Sequence, residues 1–273
     1  MASASIRPAA VAGQFYPADV HHLQLQINEM LSAALPADMP ATPPKALIVP
    51  HAGYIYSGPV AAVAYARLAR WRDRFRKVVM LGPAHRVAVL GAALPAALSF
   101  QTPLGSVPVA RDDWRRLQTM PGVRISEAAH AFEHCLEVQL PFLQTVLDHF
   151  TILPLLVGHM RAEDLGPIIE ALWGGPETLI LISSDLSHYH PYDEARVLDR
   201  GTCERILALA GGIDHEQACG ATPVNGLLAV AGAHRLRPQL LDLRNSGDTA
   251  GGRDRVVGYA SFQFDEDDDG ARH

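Results

Sequence analysis

The sequence predicts a single α/β domain, with a central mixed, mostly parallel sheet covered by helices on both faces. Three observations lead there. Apolar runs of strand length alternate with helical segments of about 10–15 residues. The runs ALIV (46–49), KVVML (77–81), TILPLLV (151–157) and TLILIS (178–183) are almost continuously apolar, the pattern of strands buried on both faces. No long linker rich in Gly, Ser or Pro divides the 273 residues. Residues 1–264 are therefore read as one domain, and the acidic run 265–273 as a disordered tail.

Taken in order, Asp19 is a candidate N-cap for a helix reaching about Leu35. The proline-rich stretch PADMPATPPK (36–45) is a loop feeding strand 46–49. A loop and a helix over 58–69 follow, then strand 77–81 and a β-rich excursion over 87–110 broken by Gly and Pro turns. A helix over 134–147 precedes strand 151–157, and a helix over 162–173 precedes strand 178–183. Helices over 191–209 and 223–235 and strands over 239–244 and 256–264 complete the chain. The β-rich excursion makes the sheet mixed rather than purely parallel.

Composition excludes several classes. The formal charge is −6 and the arginines are scattered among acids, so no basic stripe marks a nucleic-acid surface. No apolar run approaches the roughly 20 residues of a membrane span, and the N-terminus lacks the pattern of a signal peptide. The three cysteines, Cys135, Cys203 and Cys219, are odd in number and widely spaced. That argues for a reducing compartment, with the cytoplasm as the expected location.

Four apolar strands run into a histidine within a few residues: His51, His85, His159 and His188. Ligands of open α/β sheets bind beyond the carboxyl ends of the strands. Imidazoles converging there are natural transition-metal ligands, whereas a single strand-end histidine is commonly structural. Asp185, delivered by the same strand as His188, either orients an imidazole or caps the next turn. His190, before Pro191, faces solvent. Glu133 and His134 open the segment HAFEHCLEVQLPFL (130–143), where either one is a candidate for proton transfer. Helical spacing would set Glu133 and Glu137 on one face, and Cys135 reads as a small core hydrophobe. Cys219 stands just before a helix for which Thr222 is the expected N-cap and Pro223 the first residue. That position predicts a lowered thiol pKa, against the alternative of a structural thiol.

Six motifs together resemble the Memo-like family, whose bacterial members are called AmmeMemoRadiSam system protein B. They are PHAGYIYSG (50–58), LGPAH (81–85), EHCLEVQLPFL (133–143), SSDLSHY (183–189), CGATPVNGLL (219–228) and VVGYASF (256–262). The resemblance runs from GQFYPAD (13–19) to the last strand. It implies a fold similar to LigB-type extradiol dioxygenases, which hold a non-haem iron. It places metal ligands at His51, His85, His188 and Cys219, and it returns His159 to a structural role. A thiolate where the dioxygenases use a carboxylate favours copper(I), iron(II) or zinc. Ala221 stands where many relatives carry arginine.

The resulting expectation is a redox metalloprotein holding one iron(II) or copper ion, zinc being the third candidate. It is dioxygenase-like, with His188, Asp185, Glu133 and His134 as catalytic candidates and Tyr54, Tyr56 and Tyr189 lining a substrate pocket. The family name implies a radical-SAM protein and an AMMECR1-like protein as partners. Two other readings stay open at this point: a non-catalytic scaffold for a peptide or protein, and a zinc-dependent hydrolase.

Overall fold

A computed structural model of the chain describes residues 6–35 and 42–267. In chain order its elements are β1 (Ile6–Arg7), α1 (Val20–Ala33), β2 (Ala46–Val49), α2 (Tyr54–Ala66), β3 (Lys77–Pro83), β4 (Ala92–Leu94), β5 (Ser99–Thr102) and β6 (Gly105–Pro108). There follow α3 (Trp114–Gln118), β7 (Val123–Ile125), α4 (Glu127–Ala131), α5 (Leu140–Val146), β8 (Thr151–Val157), α6 (Ala162–Leu172) and β9 (Thr178–Ser183). The chain closes with β10 (His188–His190), α7 (Tyr192–Leu207), α8 (Ala221–Ala231), β11 (Leu236–Asn245) and β12 (Val256–Glu266).

The four apolar runs form the centre of a sheet ordered β10-β12-β2-β9-β3-β8-β4-β7, with β11 also paired to β12. β2, β9, β3 and β8 are mutually parallel, while β12 and β4 flank them antiparallel. Every residue of β2 and β9 is buried, whichever face its side chain takes. Strands so enclosed have both faces covered, which is why they read as continuous apolar runs. α1 and α5 pack on α2, while α6 packs on α8. β1, β5 and β6 form a separate small sheet. No helix among the described residues is long and apolar enough to cross a membrane.

Local chemistry placed several boundaries. Asp19 caps α1 by accepting from the His22 N–H. α2 starts at Tyr54, four residues before the expected start, because Tyr54 is buried against Tyr16 and Phe142. Gly58 lets Met30 approach: a Cβ there would lie 2.6 Å from the Met30 sulfur. The helix expected over 134–147 is only half present. Residues 135–136 form a turn, Glu137–Gln139 a 3₁₀ turn, and α5 begins at Leu140 with Pro141 in its first turn. Glu133 accepts the His134 and Cys135 N–H groups, so a side chain supplies the bonds that a helical turn would have made. The expected common face of Glu133 and Glu137 is lost with it. Thr222 and Pro223 lie inside α8, whose N-cap is Gly220. The acidic run begins within the domain: Asp265 and Glu266 pair with Arg237 and Leu236 of β11. Residues 268–273 of the expected tail, and 36–41 of the expected proline-rich loop, lie outside the described residues.

The N-terminal segment is pinned by a buried ion pair. Arg7 donates to the Glu137 carboxylate and to the carbonyls of His130 and Glu133. Glu137 also accepts from the N–H groups of Ala10 and Val11 and from the Tyr16 hydroxyl. His130, beneath Arg7, is buried, and burial lowers its pKa to about 4 against the opposing pull of its bond to the Ala93 carbonyl. The unfolded histidine takes up its proton near pH 6.5, the folded one only near 4, so stability is lost as pH falls through that interval. The gap corresponds to about 3 kcal/mol. Asp199, raised to about 6 by burial, acts with the opposite sign, because the native carboxyl keeps a proton that the unfolded one releases near pH 4. The expected result for His130→Gln is therefore residue-specific. Urea titrations should show its stability rising relative to the unsubstituted protein by about 3 kcal/mol between pH 7 and 4; a pH-independent difference would show that His130 is solvated.

Candidate metal centre

Three neighbouring parallel strands, β2, β9 and β3, end on one side of the sheet and deliver His51, the 184–188 loop and His85 there. His159, after β8, is diverted. Its N–H donates to the Val89 carbonyl and Gly158 donates to Gly91, which draws the chain toward β4 and leaves the imidazole exposed.

Among the described residues, His51, His85 and His134 present ligand atoms within 4.8 Å of one another. Their ring centroids are 4.8–5.5 Å apart, the His85 and His134 rings being stacked. His85, Glu133 and Cys135 form a second group at the same spacing. The Cys219 sulfur lies 3.3 Å from His51 Nε2. His188 belongs to neither group. The site thus has a buried floor at His51, a half-buried wall at His134, Cys219 and His188, and an exposed rim at His85.

Each principal imidazole is held through Nδ1. His51 Nδ1 lies 2.9 Å from Ser183 Oγ, His85 Nδ1 2.9 Å from Glu133 Oε1, and His188 Nδ1 2.8 Å from the Leu186 carbonyl. A carboxylate and a carbonyl only accept, so His85 and His188 donate from Nδ1 and carry the free lone pair on Nε2. His134 Nδ1 lies 3.1 Å from Glu133 Oε1, off the line of a hydrogen bond. Among the described residues this buried nitrogen has no hydrogen-bond partner.

Glu133 organises this cluster. Its carboxylate accepts the His85 backbone N–H at 2.6 Å, besides the His85 ring and the His134 and Cys135 N–H groups. Burial works to raise its pKa, but the His134 and His85 imidazoles beside it outweigh that and hold the carboxyl well below the usual range. Burial, with His85 and His134 nearby, pushes His51 well below the ordinary histidine value, so it is neutral. Imidazoles backed by a buried carboxylate have the chemistry of a metal site.

Other expected residues are placed differently. Asp185 accepts the backbone N–H of His51 at 2.7 Å instead of orienting an imidazole, and its pKa is raised by burial. The Cys219 thiol is pushed up to about 12 by burial and the Asp185 carboxyl, opposite to the lowering expected at a helix start. α8 begins only at Ala221, leaving Cys219 ahead of the N-cap and beside an acid. Tyr54 is buried, its hydroxyl donating to the Val138 carbonyl in the core. Tyr56 is half-buried. Tyr189 is exposed, in the left-handed region at φ 64°, with the Arg255 guanidinium 5.2 Å from its ring centroid. His190 bonds to Glu194, and Cys135 is buried with its thiol donating to the Pro83 carbonyl.

Sequence reasoning missed Ser183 and Gln139, which support His51, and Asp199, which accepts the Ser187 N–H beneath the His188 turn. A serine as last residue of an otherwise apolar strand was the available signal for the first.

The match to the family of Memo-like proteins covers residues 7–263. The chain belongs to that family. A MEMO1 family protein of Methanopyrus kandleri is 37% identical over 279 residues, spanning 94% of this chain and 98% of the relative. One from Aquifex aeolicus is 34% identical over 275 residues, spanning 95% and 99%. The crystal structure of an uncharacterized protein from Escherichia coli K12 superposes with a TM-score of 0.55 over 80% of this chain and 98% of that one. At 17% identity it bears on the fold alone. The six motifs of the Memo-like chain thus lie on one fold, five of them contributing residues at or around His51: the segments 50–58, 81–85, 133–143, 183–189 and 219–228.

Proposed function

We propose that this Memo-like protein binds one redox-active transition-metal ion, iron(II) or copper ahead of zinc, and works as a dioxygenase-like oxidoreductase. The carrying observation is the approach of His51, His85 and His134 to within 4.8 Å. The orphaned Nδ1 of His134 and the thiol beside His51 Nε2 supply further donors. Mixed imidazole and sulfur donors suit iron(II), copper(I) and zinc better than magnesium or calcium. On this reading His51 and His85 hold the ion, with Cys219 and His134 completing the set, and His188 lies outside it.

When bound, the metal would supply Lewis-acid and electron-transfer chemistry. The chain's own residues do the rest. Glu133 orients His85, and Asp185 fixes the main chain of His51. His188, with Nδ1 bound to the Leu186 carbonyl, can take a substrate proton at Nε2. Tyr56 and Tyr189 are the aromatic candidates beside the substrate, while Tyr54 serves the core. A radical-SAM protein and an AMMECR1-like protein remain the proposed partners, on the resemblance alone.

Metal analysis of anaerobically purified protein tests the reading. One equivalent of iron or copper is expected, with less than a tenth of it in His51→Ala/His85→Ala. Full metal content in the double variant overturns the site. Zinc alone, without oxygen uptake on catechols, overturns the redox assignment and favours hydrolysis.

A further inference from the structure

We infer that a buried relay, Tyr65–Gln139–Ser183, fixes the tautomer of His51 and so aims its Nε2 lone pair into the crevice. Ser183 and Gln139 are positioning residues, fully buried with Tyr65 behind His51. The logic is one of counting protons. The Gln139 amide nitrogen lies 2.9 Å from the Pro50 carbonyl, which can only accept. The amide is therefore oriented with its nitrogen toward Pro50, and its oxygen accepts from the Tyr65 hydroxyl at 2.7 Å. The second amide hydrogen goes to Ser183 Oγ at 2.9 Å, in preference to the Cys135 carbonyl at 3.5 Å.

Ser183 has one proton and three partners. The Cys135 carbonyl, 2.6 Å away, can only accept, and Gln139 is already committed as a donor. The hydroxyl proton therefore goes to Cys135. That leaves Ser183 Oγ as an acceptor toward His51 Nδ1 at 2.9 Å, and the imidazole must donate there. With Nδ1 holding the proton of the imidazole, the lone pair sits on its other nitrogen, Nε2. Nε2 is the atom that faces Cys219 Sγ. A histidine at a strand end becomes a preset donor because a serine one strand away has spent its proton elsewhere. Tyr65 lies on the buried face of α2, so the relay also ties the site to the helix that follows His51.

The tautomer can be read without any metal. In ¹⁵N-labelled, metal-free protein, long-range ¹H–¹⁵N correlations of the His51 ring, assigned by their loss in His51→Gln, should show Nδ1 protonated and Nε2 bare. An Nε2-protonated ring or a rapidly exchanging mixture overturns the relay. Ser183→Ala should then shift the ring toward the other tautomer and weaken binding of iron(II) or zinc by roughly 10- to 100-fold, the usual effect of losing the group behind a ligating histidine. An unchanged tautomer in that variant overturns the role of Ser183. The affinity part rests on the metal reading above, and the two fail separately: a correct tautomer in a protein that binds no metal sinks that reading and leaves the relay standing.

Discussion

Arg7→Met should cost the native state about 3–5 kcal/mol, because it strands a carboxylate in the interior. Glu137 has no exposed surface, and Arg7 is the cation that balances it. With the guanidinium gone, the three remaining donors to Glu137 (two backbone N–H groups and the Tyr16 hydroxyl) carry no net charge. The Arg7 bonds to the His130 and Glu133 carbonyls go as well, which loosens the turn that presents Glu133 to His85. Urea denaturation at pH 7 measures the loss. Adding Glu137→Gln to Arg7→Met should recover part of it, since a neutral amide oxygen still accepts while no charge is left buried. A single-variant cost below about 1 kcal/mol would place the pair among solvated ones.

The second large effect is on the site. Glu133→Ala removes the acceptor for the His85 ring, for the His85 N–H, and for the His134 and Cys135 N–H groups. His85, exposed at the rim, then has nothing to select its tautomer or hold its ring. Metal affinity is expected to fall by at least about 10- to 100-fold in competition with a chelator. The buried N–H groups left without partners should add a stability loss of about 1–3 kcal/mol. Affinity unchanged from the unsubstituted protein would remove Glu133 from the metal centre. Read against Ser183→Ala, the result also ranks the two supports: Glu133 holds the rim histidine and Ser183 the floor histidine.

Much of the fold was legible because its strongest signals are local. Continuous apolar runs marked β2, β3, β8 and β9, and Asp19 marked the start of α1. The 133–139 segment was not legible as a turn. EHCLEVQLPFL has the periodicity of a helix, and only the bonds that Glu133 makes explain why its first turn is absent. The start of α2 failed for a related reason: Gly58-Pro59 is a plausible helix opening, but burial of Tyr54 sets the real one earlier.

The site divides along the same line. Sequence alone determined that His51, His85 and His188 follow strands that point one way, and it marked Cys219 first by its place before a helix and then through resemblance. Strand order decided what those histidines meet. His159 follows a strand of the same direction yet is drawn away by residues 89–91, and Glu133 reaches His85 across 48 positions. Whether Cys219 is a lowered or a raised thiol depended on its burial first and then on Asp185, 34 residues earlier in the chain. Periodicity and capping arise from forces acting between residues a few positions apart, so a sequence carries them openly. Tautomers, buried charges and convergent ligands depend on groups brought together by the sheet, where a neighbour's single proton or carboxylate sets the chemistry of the next side chain.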